Sequence, residues 1–185
     1  MKYVHSIIIL CVFVFFAVSF AGPNPAVAAS AAEINRDAAN ALQKLYAKSS
    51  AAKAMSEKAK AILVFPGITK GGFIVGGQYG EGVLIKEGKP IAYYNTVSGS
   101  YGLQAGLQRY GYALFFMTDF AQGYLDRSDG WELGVGPSIV VVEVGAATGL
   151  STTTAKADIY AFFFDQKGLM AGLGLQGTKV TKITK

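Results

Sequence analysis

The chain of 185 residues is poor in the side chains that carry covalent and metal chemistry, with one cysteine, Cys11, and one histidine, His5. A lone thiol closes no internal disulfide, and zinc, copper and haem sites built on several His or Cys ligands are excluded. Charge is scarce too, at 16% of residues, and the formal net charge of +5 includes no dense basic tract of the kind a nucleic-acid binder carries. Glycine has no three-residue period, and no unit of 20–50 residues repeats, so collagen-like and solenoid architectures are also out. What the chain has is apolar material, 51% of its residues, together with 23 glycines. That composition excludes global disorder, and the length predicts one domain.

The opening 28 residues read as an export signal. Lys2 supplies a positive charge ahead of the apolar run Ile7 to Ala21, a helix-breaking Gly22-Pro23-Asn24-Pro25 follows, and Ala26-Val27-Ala28 fits a small-residue cleavage site. The rival reading is an uncleaved anchor, but the run falls short of the ~20 residues a helix needs to cross a bilayer. Lipoprotein processing at Cys11 needs a small residue before it, and Leu10 stands there. Cleavage after Ala28 removes both His5 and Cys11, and with them every imidazole base and thiolate nucleophile.

Two parts follow the signal. Residues 29–60 hold no glycine or proline, and Ser30-Ala31-Ala32-Glu33 reads as a capping box. Ile34, Ala38, Ala41, Leu42, Leu45 and Tyr46 then recur on one face of a helix of about four turns. A second, shorter helix capped by Ser49 or Ser50 runs to about Lys60. From residue 61 to 185 the composition is that of strands: every glycine except Gly22 lies between Gly67 and Gly177, nearly three times the usual share of about 7%. Candidate strands are Ala61–Phe65, Phe73–Tyr79, Gly82–Lys86, Ile91–Val97, Gly102–Gln108, Tyr112–Thr118, Leu133–Val144, Lys156–Phe164 and Leu169–Leu175. The unbroken apolar run Ile159–Phe164 predicts a strand covered on both faces. Short connections at Glu87-Gly88-Lys89 and Asp165-Gln166-Lys167-Gly168 predict hairpins and so an antiparallel meander. A helical face from Phe120, Tyr124 and Leu125 interrupts it. Glycines within strands permit strong curvature. The expected fold class is α+β and β-rich, with N-terminal helices packed on a strongly curved antiparallel sheet or barrel, forming one domain.

Several chemical motifs dissolve on inspection. Gly172-Leu173-Gly174-Leu175-Gln176-Gly177 has dinucleotide-fingerprint spacing but too little chain after it for the required helix and acid. Ser50-Ala51-Ala52-Lys53 matches S-x-x-K without its companion elements, and capping by Ser50 accounts for it better. Asp119, Asp126, Asp129 and Glu132 lack the alternating spacing of a calcium loop and read as a solvated loop. No catalytic residue, metal ligand or cofactor is expected. Lysine is distributed more informatively: Lys44, Lys48, Lys53, Lys58 and Lys60 flank the helical part, with Lys70 soon after. Basic residues around an apolar helical face can rest on an anionic bilayer, or the apolar face can simply dock on its own sheet.

Five ordered blocks after residue 60 resemble the SYLF-domain family. They are Ala61–Phe73, then Val75-Gly76-Gly77 with Gly80 and Gly82-Val83-Leu84, Ser98–Gly106, Gly134-Val135-Gly136-Pro137, and Lys167–Gly177. Where the family often has tryptophan and proline before the Ser-Gly-Ser block, this chain has Tyr93, Tyr94 and Asn95. The resemblance implies phospholipid binding without catalysis and a β-rich fold, and it makes Lys70 the first choice for a phosphate contact. Eukaryotic members of the family act with actin at membranes. The export signal argues against that partner and for a bacterial secreted type. The expected function is a non-enzymatic phospholipid-binding protein of the periplasm, peripheral to the inner or outer membrane. Anionic headgroups would meet Lys44, Lys48, Lys53, Lys58, Lys60 and Lys70. The alternatives are a structural or partner-binding envelope protein without lipid dependence, and a hydrolase using Asp126 and Asp129 or Ser50 and Lys53.

Overall fold

A computed structural model describes residues 28–128, 130–142, 156–168, 175 and 177–185, without the side chains of 73–75, 100–105 and 168. The signal segment, Asp129, the glycine fingerprint apart from Leu175 and Gly177, and the candidate strand Leu169–Leu175 apart from Leu175 lie outside the described residues.

Helix α1 (Ala31–Lys48) begins on the predicted capping box: the Ser30 hydroxyl accepts from the Glu33 N–H, and the Glu33 carboxylate accepts from the Ser30 N–H at 2.8 Å. Helix α2 (Ser50–Ser56) is capped by Ser49, whose Oγ accepts from the Ala52 N–H at 3.2 Å. Ser50 is therefore the first helical residue and not the cap, which corrects the sequence reading.

Three candidate strands merge into β1 (Ala61–Lys86) and most of three more into β2 (Lys89–Phe116), which pair antiparallel from end to end. Glu87 and Gly88, both at positive φ, form the tight turn between them, where the left-handed backbone matches the twist of the flanking strands. Bulges after Phe65, Gly72 and Leu84 bend this hairpin. Helix α3 (Asp119–Arg127) follows, capped by Thr118. The remaining strands are β3 (Trp131–Glu132), β4 (Ile139–Val142), β5 (Ile159–Gly168) and β6 (Lys179–Ile183). β5 pairs with β2 over Gln108–Phe116 and β6 pairs with it over Tyr93–Val97, so one long strand organises both. The sheet curls into a half-barrel, as expected, but it is mixed: β4 runs parallel to β5. Asp165-Gln166-Lys167-Gly168 makes no hairpin. Asp165, at φ 52°, forms a bulge inside β5, because Gly111 pairs with Phe164 while Arg109 pairs with Lys167.

Each face of the sheet has its own core. Ile34, Ala38, Leu42, Leu45 and Met55 of the two N-terminal helices cover Val64, Phe115, Tyr160 and Phe162. On the other face, Phe65, Tyr112, Phe116, Phe163, Leu125 and Trp131 pack together. β5 alternates between these cores residue by residue, which explains its lack of a polar face. Curling brings the inner surface of β1 against itself. A Cβ on Gly80 would stand 2.7 Å from Ile68 Cγ1, and one on Gly82 would strike the Val64 carbonyl and the Phe65 ring.

Candidate functional site

The amphipathic face of α1 is spent on the sheet: Ile34, Ala38, Ala41, Leu42 and Leu45 are buried there. Its lysines point outward. Lys44 and Lys48, one turn apart, converge on Asp165 at 3.6 and 3.7 Å, the acid that the β5 bulge re-aims toward the helix. Lys53 and Lys58 are exposed and make no ion pair among the described residues. Lys60, exposed beyond α2, meets Asp119 at the start of α3 at 3.5 Å. Lys70 is separate from all of these. It is half-buried in β1 opposite Gln108, on the concave side of the half-barrel. The six predicted lysines thus form a helix group and an isolated member, not one ring.

Lys60 leads to a feature the sequence reading missed. Phe120, expected to lie on the buried face of its helix, is 56% exposed, whereas Ala121 and Leu125 turn inward and Tyr124 is half-buried. The Phe120 ring lies 6.2 Å from that of Tyr124, and Tyr124 abuts Gly136 in the loop that exposes Val135. Trp131 fixes this loop by donating from Nε1 to the Val135 carbonyl at 2.9 Å. One edge of the molecule therefore joins an ammonium group to an exposed aromatic ring and a valine. An ammonium group beside exposed apolar side chains is a combination able to meet both the polar and the apolar parts of an interface. The helical spacing of Phe120 and Tyr124 was visible in the sequence, but which side of the helix faced the core was not.

A polar seam crosses the concave core. Tyr110 donates to Gln78 Oε1, Gln78 donates to Thr178 at 3.2 Å, and Thr96 and Tyr112 share a bond of 2.8 Å. Tyr94 Oη and Gln108 Oε1 are buried without a partner among the described residues. Burial pushes Tyr110 up to about 12, and burial with the charge of Asp126 does the same to Tyr94. Both phenols keep their protons near neutral pH, and that of Tyr110 serves as the donor to Gln78.

A cleft of about 720 Å³ opens beside the start of α1, lined by Ala29, Asp37, Lys44, Glu81, Arg109 and Asp165 among others. Beside it Lys185 Nζ meets the lining residue Glu81 at 2.8 Å, with the two side chains only 9% and 11% exposed. Glu81 also accepts from the Tyr79 hydroxyl at 2.8 Å. Burial alone would raise the Glu81 pKa. The Lys185 and Tyr79 hydrogen bonds and the Lys185 charge outweigh it and hold the carboxyl below its ordinary range.

Of the four acids weighed as a cluster, Asp129 lies outside the described residues. Asp119 is engaged by Lys60, and Asp126 accepts only a long 3.5 Å bond from Gln122. Among the described residues no three His, Cys, Asp or Glu side chains gather as a metal site. No helix among them is long and apolar enough to cross a membrane.

Residues 97–185 match the family model Ysc84, described as "Las17-binding protein actin regulator". The match starts within β2 and covers three of the five blocks that carry the SYLF resemblance, from Ser98 onward. No curated protein matches the chain.

Proposed function

We propose that this chain, which belongs to the SYLF family through residues 97–185, is a non-enzymatic phospholipid-binding protein of the bacterial cell envelope. It is exported after cleavage at Ala28 and rests peripherally on an anionic membrane. The observation that carries this reading is the edge where Lys60 stands over Asp119 beside the exposed Phe120 and Val135. Lys58 adds a second cation a short step away in sequence. Phosphate attraction from the lysines is additive at about 1 kcal/mol each near an anionic leaflet, and the ring and valine supply the salt-independent part. Lys44, Lys48 and Lys53 continue the basic surface along the helices, while Lys70 faces the concave side.

The apolar face of α1 is already buried, so the docked helix presents lysines, not hydrophobes, to the lipid. The family description names actin regulation, a partner out of reach for an exported chain. Co-sedimentation of the purified protein with vesicles tests the proposal. Binding to vesicles rich in phosphatidylglycerol at low salt, weakened by 0.5 M salt and weak on phosphatidylcholine alone, is expected. Equal sedimentation with both vesicle types at both salt concentrations would overturn the electrostatic part, and no sedimentation with either would overturn the whole.

A further inference from the structure

The described chain ends on a contact with its own beginning. The last residue, Lys185, donates from Nζ both to Glu81, at 2.8 Å, and to the backbone carbonyl of Ala29, at 2.9 Å. Glu81 reaches this point from the far half of β1, and Tyr79 on the same strand bonds its other oxygen. Four groups from three distant parts of the sequence thus meet beside one cleft. The Ala29 backbone adds to the preference of the same carboxylate for the ionised form. A carboxylate has about four lone-pair sites. The two side-chain donors leave room for a stronger third. The small-residue triplet Ala26-Val27-Ala28 ends at the residue immediately before Ala29.

We infer that Glu81 is a preformed seat for the mature amino terminus: hydrolysis of the Ala28–Ala29 peptide bond creates an Ala29 ammonium group that pairs with the Glu81 carboxylate beside Lys185. In that step an envelope peptidase adds one water. The hydroxyl goes to the Ala28 carbonyl carbon, which leaves as a carboxylate on the released segment, and the Ala29 nitrogen takes up protons to become the ammonium. The Ala29 backbone already stands at the Lys185–Glu81 pair through its carbonyl, so no rearrangement of β1 is required. A pair in which both groups are charged then replaces contact with a carboxylate alone charged. The inference rests on the export reading above, because only a processed chain carries the group.

The test is run on protein expressed from the full gene in an exporting bacterium and purified from the envelope. Intact mass fixes the first residue. The α-amine is then labelled with a limiting amount of acetylating reagent at pH 7, where it reacts ahead of the lysines because its ordinary pKa is near 8. A start at Ala29 and labelling at least about tenfold slower than in Glu81→Gln are expected, since one pKa unit of stabilisation lowers the free-amine fraction tenfold. The same protein unfolded in urea gives a second reference and keeps the test valid if Glu81→Gln does not accumulate. A start at Ala29 with equal labelling of native, variant and unfolded chains overturns the seat but leaves export standing. A start at Met1 overturns both, and a start at any other residue overturns the seat alone.

Discussion

Single residues decide where the strands can approach one another. Gly82 has no space for a side chain because the Val64 carbonyl and the Phe65 ring occupy it, and the former is backbone that cannot swing aside. Gly82→Ala should therefore cost about 3 kcal/mol in urea unfolding, as overpacking of a close-packed interior does. Gly99 sits in the same hairpin, and a methyl group added to it would have nothing within 4 Å. Gly99→Ala should change stability by less than about 0.5 kcal/mol. Glu81 gives a prediction with a pH sign. Its carboxyl titrates below the ordinary value in the folded chain, so the unfolded chain takes up the proton first as pH falls. Its contribution is complete above the unfolded pKa, near 4.5, and disappears as pH drops through the lower folded value. Unfolding curves between pH 3 and 6 should show that acid limb in the wild type and a shallower one in Glu81→Gln. At pH 7 the variant should lose roughly 1–3 kcal/mol, the range for leaving the Lys185 ammonium without its carboxylate.

At the level of elements, α1 and its buried face were legible in the sequence, and the long hairpin was not. Ser30 and Glu33 announced the start of α1 because a capping box is a local device whose partners lie three residues apart. Ile159–Phe164 announced a doubly covered strand because no polar residue interrupts it. By contrast, β1 and β2 read as six pieces, since glycine and proline look like breaks while cross-strand hydrogen bonding over the whole hairpin makes them continuous. Asp165 reads as a turn residue because a left-handed backbone serves a turn and a bulge equally well. The polar seam was invisible for a different reason: Gln78 finds Tyr110 and Thr178 at separations of 32 and 100 residues. The docking of α1 makes its own forecast. Leu45 is 1% exposed between helix and sheet, so Leu45→Ala should destabilise the protein by roughly 2–5 kcal/mol in the absence of lipid. A helix held free for bilayer insertion would show almost no loss. Ser30→Ala should cost only about 1 kcal/mol, because the cap is exposed and one donor turns to water.

Across the whole molecule, a half-barrel sealed on both faces leaves its surface chemistry to the rims. The helix side carries lysines, partly balanced by Asp165, and the α3 edge carries Lys60 with Phe120 and Val135. The proposed lipid contacts lie on these rims. The most direct measurement is flotation of wild type and the Lys58→Glu/Lys60→Glu double variant with phosphatidylglycerol vesicles at low salt, after circular dichroism has shown equal folding. Loss of two favourable lysines alone is worth about 2 kcal/mol, or roughly 30-fold in affinity. The account predicts a loss of at least that size. Binding of the variant as strong as that of wild type would contradict it.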